Sequence, residues 1–340
     1  DAYLEELAQH DLFSGAVLVA HRGRPVFKRA IGFADLAHHT PNHVDTRFAL
    51  ASLGKMFTAV AVLRLADAGA LSLSDPVSRF VPEYPSRIGD RITVRHLLTH
   101  TSGVELDDVE GFNRAKAAAA SLDELVRVHV AFLDSLGNPE RAFPLTEYDY
   151  SNEGYDLLGV IVERAAGMPY MAYLREEVFG PAGMTATGAV SEPFVAHLAR
   201  GYSGSLGWGS LPAVGQRVEH YADAAFPEPA GGHYSTVGDL LRFADALQRG
   251  DLLFPETLEQ AFSRAVAVSE EPGRASYYGL GFSVEEEFGH TVVGHDGAFS
   301  GISTVLSMYP ELGYTIVVLS NYSFAARTVS RHIRELVVAQ

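Results

Sequence analysis

The sequence predicts an α/β (α+β) protein, an antiparallel sheet flanked by helices and interrupted by an inserted all-helical domain. Three observations carry this prediction. β-rich runs stand near both ends of the chain, few convincing strands occur between residues 75 and 230, and the apolar spacing of that middle stretch is helical. With 340 residues the chain can hold about two domains' worth of core, or one large domain with an insertion. The boundaries that follow assign residues 1–75 and 232–340 to the α/β domain and 76–231 to a mainly helical domain, with the natural site in the cleft between them.

Taken in order, a short helical stretch leads to Gly15–Ala20 and Pro25–Ile31, which flank His21-Arg-Gly-Arg24 and read as a hairpin. An apolar helix then runs from Ser52 to about Ala70, where Gly69 marks its end. From Leu71 the texture changes to short pieces punctuated by turns, including Leu73–Pro76, Pro82–Pro85 and the helical Thr93–Leu98. Helices follow at Asn113–Ser121, Leu122–Leu133, Gly154–Gly167 and Tyr170–Phe179. Residues 200–232, rich in Gly, Ser, Tyr and Pro and holding the only tryptophan, Trp208, read as a long ordered loop of the kind that is more often functional than idle. Thr236-Val-Gly-Asp239 has the form of a capping box and opens a helix through Leu247 that Gly250 closes. Strands return at Tyr278–Val284, Thr291–Gly294, Ile302–Met308 and Tyr314–Ser320, and a last helix spans about Ala325 to Val338.

Composition removes several classes of function. A hydrophobic content of 47% is that of a folded globular chain. No run approaches the ~18 apolar residues of a membrane span, and no basic segment precedes an apolar one at the start. The expectation is a soluble protein, either cytoplasmic or exported with a signal peptide removed. Zero cysteines exclude disulfides, thiolate zinc sites and a cysteine nucleophile together. A net charge of −16 with scattered basic residues argues against nucleic acid and for a small-molecule substrate. No Gly-x-Ser-x-Gly elbow, HExxH, Walker loop or GxGxxG occurs. Among the 14 histidines, His38, His39 and His43 sit in a Pro/Asn turn, so no metal is expected; His96 and His100 read as structural.

Chemistry concentrates in three stretches. In the first, Ser52-Leu-Gly-Lys55, residues three apart lie about 60° apart around a helix and one turn along it, so hydroxyl and amine meet on one face. A serine that opens a helix can simply cap it, and a lysine near a helix start can simply be solvated. Against that, the chain has only three lysines, Lys28, Lys55 and Lys116. Chance gives roughly 0.2 Ser-x-x-Lys pairs, and the one that occurs sits in a strongly apolar helix. Burial there keeps the amine neutral part of the time, as a base must be. The second stretch, Tyr148-Asp-Tyr150-Ser-Asn152, stands just before a helix; Tyr150 is either a core residue or a proton carrier, and Asn152 either a cap or a holder of Lys55 and substrate. In the third, Gly294-His295-Asp-Gly297-Ala298, glycine permits close approach of a ligand, although alone it reads as a bulge or turn.

Together and in this order, the three stretches resemble the signature of the serine hydrolases of the β-lactamase and penicillin-binding-protein superfamily: Ser-x-x-Lys, then Tyr-x-Asn, then His-x-Gly in the place of Lys-Thr-Gly. Phe13–Val19, Thr46–Ser52, Ile92–Gly103 and Ala230–Thr236 look like stretches shared by the class C branch and its esterase and peptidase relatives, so the resemblance covers about residues 12 to 320. It implies a β-lactamase-like fold, no cofactor, and Ser52 as the acylated nucleophile with Lys55 and Tyr150 as the proton-transfer pair. It further implies Asn152, His295 and Gly297 at the substrate and the N–H groups of Ser52 and Ala298 as the oxyanion hole. His295 departs from the usual lysine; partly charged near neutrality, it makes a weak or pH-dependent carboxylate anchor and moves the expectation from β-lactamases towards esterases and D-amino-acid peptidases. His233 also departs from the apolar residue usual before Tyr-Ser-Thr, and reads as the cap of a turn in preference to a cleft residue. The activity implied is cleavage of small esters, amides or peptides through an acyl-enzyme. An acyltransferase using the same acyl-enzyme, and a β-lactamase or penicillin-binding receptor with slow turnover, stand as alternatives.

Overall fold

The structure is a computed structural model that describes residues 1–106, 109–135, 146–204, 217–220, 226–271 and 274–339. Its main sheet has eight strands, β1 (Gly15–His21), β2 (Arg24–Ile31), β3 (Val266–Glu271), β4 (Arg274–Tyr278), β5 (Ser283–Glu287), β6 (His290–Phe299), β7 (Ile302–Tyr309) and β8 (Tyr314–Ser320). They are ordered β3-β4-β5-β6-β7-β8-β1-β2, so the N-terminal hairpin pairs with the last strand of the C-terminal meander. Every neighbouring pair is antiparallel.

Helices lie on both faces of the sheet. Against one face pack α1 (Ala2–Gln9) and α7 (Ala325–Val338); on the other side lie α2 (Lys55–Asp67), α3 (Phe112–Ala118), α4 (Leu122–Ser135), α5 (Asn152–Ala166) and α6 (Val237–Arg249), of which α6 packs on β8 and β1 and α5 packs on α2. Because strand side chains alternate, β1 sends Val17 and Val19 into the cluster around α1 and α7, and Ala16, Leu18 and Ala20 into the larger core around α2. That larger core is continuous from Leu306 and Leu319 in the sheet, through α2, to Leu157, Leu158 and Ile161 on α5. α2 is buried on all sides from Lys55 to Leu63, which explains why its sequence is apolar all round instead of striped.

Several element boundaries differ from the sequence reading, each for a local reason. The central helix starts at Lys55, because Ala51–Gly54 forms a preceding 3₁₀ turn that carries Ser52. Tyr278–Val284 is no single strand: Gly279 and Gly281 break it, with Gly281 at φ +90 and its α-carbon so near α2 that a β-carbon would lie 2.1 Å from Ala59. The His295–Gly297 stretch, which alone reads as a bulge or turn, continues β6 in unbroken register from Val293 opposite Met308 to Phe299 opposite Ile302. β3 and β4 were missed because their alternation is diluted by Ser, Glu and Arg at the sheet edge. Tyr170–Phe179 begins as an α-helix and widens into a π-helical turn at Leu174–Phe179. Within 200–232, Gly201–Gly204 pairs with Arg217–His220, whereas Trp208 lies outside the described residues. Among the described residues, no helix is long and apolar enough to cross a membrane.

Candidate active site

Ser52 is presented by a strained turn. Ala51, just before it, has φ +49, a left-handed conformation uncommon for a residue with a β-carbon. Two close approaches hold this turn. A β-carbon on Gly297 would lie 2.0 Å from the Leu50 carbonyl oxygen, and one on Gly231 would lie 2.9 Å from the Ala51 carbonyl carbon, so the backbones of β6 and of the 230–232 segment press directly on it. Thr304 of β7 fastens the same turn by donating its hydroxyl to the Leu50 carbonyl at 2.7 Å.

The structure brings Ser52, Lys55, Tyr150 and Asn152 together. Lys55 Nζ lies 3.2 Å from Ser52 Oγ and donates at 2.8 Å both to Asn152 Oδ1 and to the Ala230 carbonyl. Tyr150 donates its phenol to Ser52 Oγ at 2.7 Å, and its ring stands over the amine, 4.8 Å from ring centre to Nζ. Lys55 is fully buried, and that burial lowers its pKa to about 7; Asp156, Glu228 and Glu153 oppose the shift and Lys116 adds to it.

Local sequence explains the placement of the second stretch. Ser151 caps α5 by accepting the Gly154 N–H at 2.8 Å, which puts Asn152 in the first turn with its amide aimed at Lys55, and leaves Tyr150 in the extended entry to the helix. His100 supports that entry. Its ring stacks on Tyr150 at 4.3 Å between centres, and its Nδ1 accepts the Ser151 N–H at 3.0 Å. Burial, with Lys55 and His295 nearby, holds His100 well below the usual histidine range, so it is a neutral wall of the kind its structural reading anticipated.

His295 corrects one expectation. It is 5% exposed, and burial lowers its pKa to about 4, so it is uncharged at neutral pH and supplies no partial cation. Nδ1–H donates to the Asp296 carbonyl at 2.5 Å, which leaves Nε2 to accept from the Tyr278 phenol at 2.9 Å. His233 is likewise neither a turn cap nor a lining residue. It belongs to a short strand, His233–Ser235, paired with Phe48–Ala49 and Gly188–Ala189, and it is buried beneath Gly54 with its carbonyl accepting the Leu50 N–H. Burial brings its pKa down to about 3.

A cavity of about 410 Å³ lies on the opposite face of β6, between the sheet and α7. Its guanidinium groups already have carboxylate partners, Arg327 with Asp296 at 2.5 Å and Arg334 with Glu285 at 2.8 Å, and it does not include Ser52. This cavity is therefore separate from the Ser52 turn, where the hydroxyl, the amine and the phenol converge. One contact there had no signal in sequence beyond the glycine pair that follows it, the Ala230 carbonyl on Lys55; only the fold brings residue 230 beside residue 55.

A buried amine and a phenol converging on one serine hydroxyl, at the wall of an antiparallel sheet with helices on both faces, define a serine hydrolase. The family model described as Beta-lactamase matches residues 1–340, and this chain belongs to that family. Penicillin-binding protein 4* of Bacillus subtilis (strain 168) is 32% identical over 328 residues, 93% of this chain and 70% of that protein. Esterase EstB of Burkholderia gladioli is 32% identical over 314 residues, covering 83% of this chain and 78% of that protein. A solved penicillin binding protein from Bacillus halodurans superimposes with a TM-score of 0.80 at 27% identity, over 98% of this chain and 99% of that one.

Proposed function

We propose that this protein cleaves small, uncharged esters or amides through an acyl-enzyme on Ser52, in a cleft between an α/β part (1–75 and 232–340) and a helical part (76–231). The observation that carries the reading is the convergence of Tyr150 OH and Lys55 Nζ on Ser52 Oγ, with the amine brought to a pKa of about 7 by burial. A neutral amine keeps two N–H bonds and one lone pair. With both N–H groups directed at Asn152 Oδ1 and the Ala230 carbonyl, the lone pair faces Ser52 Oγ.

The proposed sequence follows from that orientation. Lys55 takes the Ser52 proton as Oγ attacks the acyl carbon, and the N–H groups of Ser52 and Ala298 receive the oxyanion. Tyr150 delivers a proton to the leaving oxygen or nitrogen and regains one from Lys55. In deacylation a water gives its proton to the same pair, and Ser52 Oγ departs with a proton. Asn152 orients Lys55 and the substrate carbonyl. Gly297, expected at the substrate, instead makes room for the Leu50 backbone and so supports the Ser52 turn, and neutral His295, tied to Tyr278, offers no charge to a carboxylate. That neutrality favours esters and amides without a carboxylate over β-lactams, and a relative that is named an esterase supports the same side.

Intact-mass analysis after incubation with a nitrophenyl ester, a cephalosporin and a D-alanyl amide tests this. The expected result is a transient acyl adduct on Ser52 from the ester or amide, and loss of turnover by ~10⁴-fold in Ser52→Ala. Turnover in Ser52→Ala within about tenfold of wild type overturns the nucleophile assignment. A long-lived cephalosporin adduct with no ester turnover favours the receptor reading instead.

A further inference from the structure

The second buried lysine is not accounted for by the reaction. Lys116, on α3, is one of three lysines in the chain, and its side chain is only 12% exposed. Its ammonium lies 2.8 Å from Asp156 and 3.7 Å from Glu153 on α5, and 2.9 Å from Glu228 on the segment that leads to Ala230. Such a cluster is expensive to desolvate, and a hydrophobic replacement would stabilise a fold at least as well, so its retention in the interior asks for a reason other than stability.

The reason lies in what the two clamped segments do. α5 begins at Asn152, one turn before Asp156, and Asn152 Oδ1 is one acceptor of the Lys55 amine. Glu228 stands two residues before Ala230, whose carbonyl is the other. Between them Pro229 accepts the Thr58 hydroxyl at 2.7 Å, and Pro229 is so close to α5 that a β-carbon on Gly159 would lie 2.1 Å from its ring. The two acceptors that aim the Lys55 lone pair thus belong to separate segments, and Lys116 forms ion pairs with both.

We propose that Lys116 is a positioning residue: by tying Asp156 of α5 to Glu228, it fixes the spacing of Asn152 Oδ1 and the Ala230 carbonyl and so the direction of the Lys55 lone pair. This deepens the Ser52–Lys55 reading and rests on it. Lys116 does not touch the reacting atoms. Its effect reaches them through the geometry of Lys55, where displacements of about 1 Å can cost as much as 10²-fold in rate.

The test uses Lys116→Met, Lys116→Arg and the double variant Lys116→Met/Asp156→Asn, with nitrophenyl ester hydrolysis, thermal midpoint and the acid limb of the rate as readouts. Lys116→Met is expected to lose about tenfold in kcat with KM within about twofold, and to melt earlier, because three carboxylates lose their buried partner. Lys116→Arg keeps the ion pairs to both segments and recovers most of kcat. The double variant removes one charge of each sign, so it regains thermal stability and keeps the acid limb within about 0.3 pH unit of wild type, while kcat stays about tenfold down because the bridge is gone. Wild-type kcat in the double variant overturns the proposal, and that outcome can be read even if Lys116→Met alone does not fold. Ester turnover that persists in Ser52→Ala marks a different failure, that of the serine reading itself.

Discussion

Two buried lysines stand side by side in this protein and are driven in opposite directions. Lys55 has only uncharged partners, Ser52 Oγ, Asn152 Oδ1 and the Ala230 carbonyl, and burial lowers its pKa to about 7. Lys116 suffers the same desolvation, yet the carboxylates of Asp156, Glu228 and Glu153 outweigh it and hold the ammonium well above the usual lysine range. The same side chain thus serves as a base in one place and as a permanent cation in the other. The difference teaches that burial alone does not make a base. Burial among neutral acceptors does, and the charged cluster next door is kept from reversing the effect by carrying its own cation.

The largest expected effect that separates the two is on the reaction. Lys55→Met is expected to lose ~10³-fold or more in ester turnover while its thermal midpoint at neutral pH does not fall below that of wild type, since a costly buried amine has been replaced by an apolar chain. A midpoint well below wild type would mean that Lys55 is held for the fold and not for the reaction.

A smaller effect sharpens the sign of the Lys55 shift. Between its folded value of about 7 and its ordinary value of 10.5, the unfolded chain binds a proton that the folded chain does not. Stability from this group therefore rises with pH across that window and is flat below it, by about 1.4 kcal/mol per pH unit. Urea unfolding of wild type and Lys55→Met at pH 7, 8 and 9 should show the gap between them narrowing as pH rises. A constant gap would mean that Lys55 keeps its proton in the folded protein over this range, with its pKa near the ordinary value.

The smallest effect probes the crosstalk between the clusters. Asp156 raises the Lys55 pKa, so Asp156→Asn should move the acid limb of kcat/KM to lower pH by about half a unit, measured over pH 5 to 9. An unmoved limb would mean that Lys55 does not sense the cluster.

Legibility in the sequence follows sequence distance. Ser52 and Lys55 could be paired on paper because three residues on a helical turn fix their geometry, whereas the helix read from Gly154 with Asn152 as a possible cap begins at Asn152, capped by Ser151. The hairpin, the strands at Ile302–Met308 and Tyr314–Ser320 and the last helix are legible for the same reason, since periods of 2.0 and 3.6 are local. His295 was misjudged in its charge because protonation depends on burial, which its neighbours in sequence do not state and Tyr278 and the Asp296 carbonyl decide.

By itself, then, the sequence determined the periodic elements, the order of the three stretches and the meeting of one hydroxyl with one amine, because each is set within a few residues of backbone. Tertiary structure alone decided that the helix starts at Lys55 and not at Ser52, that Gly297 presses on Leu50, and that residues 116, 156 and 228 share one buried charge cluster beside residue 55. Those outcomes depend on desolvation and on contacts between segments far apart in the chain, and a pKa of about 7 for Lys55 exists only once both are in place.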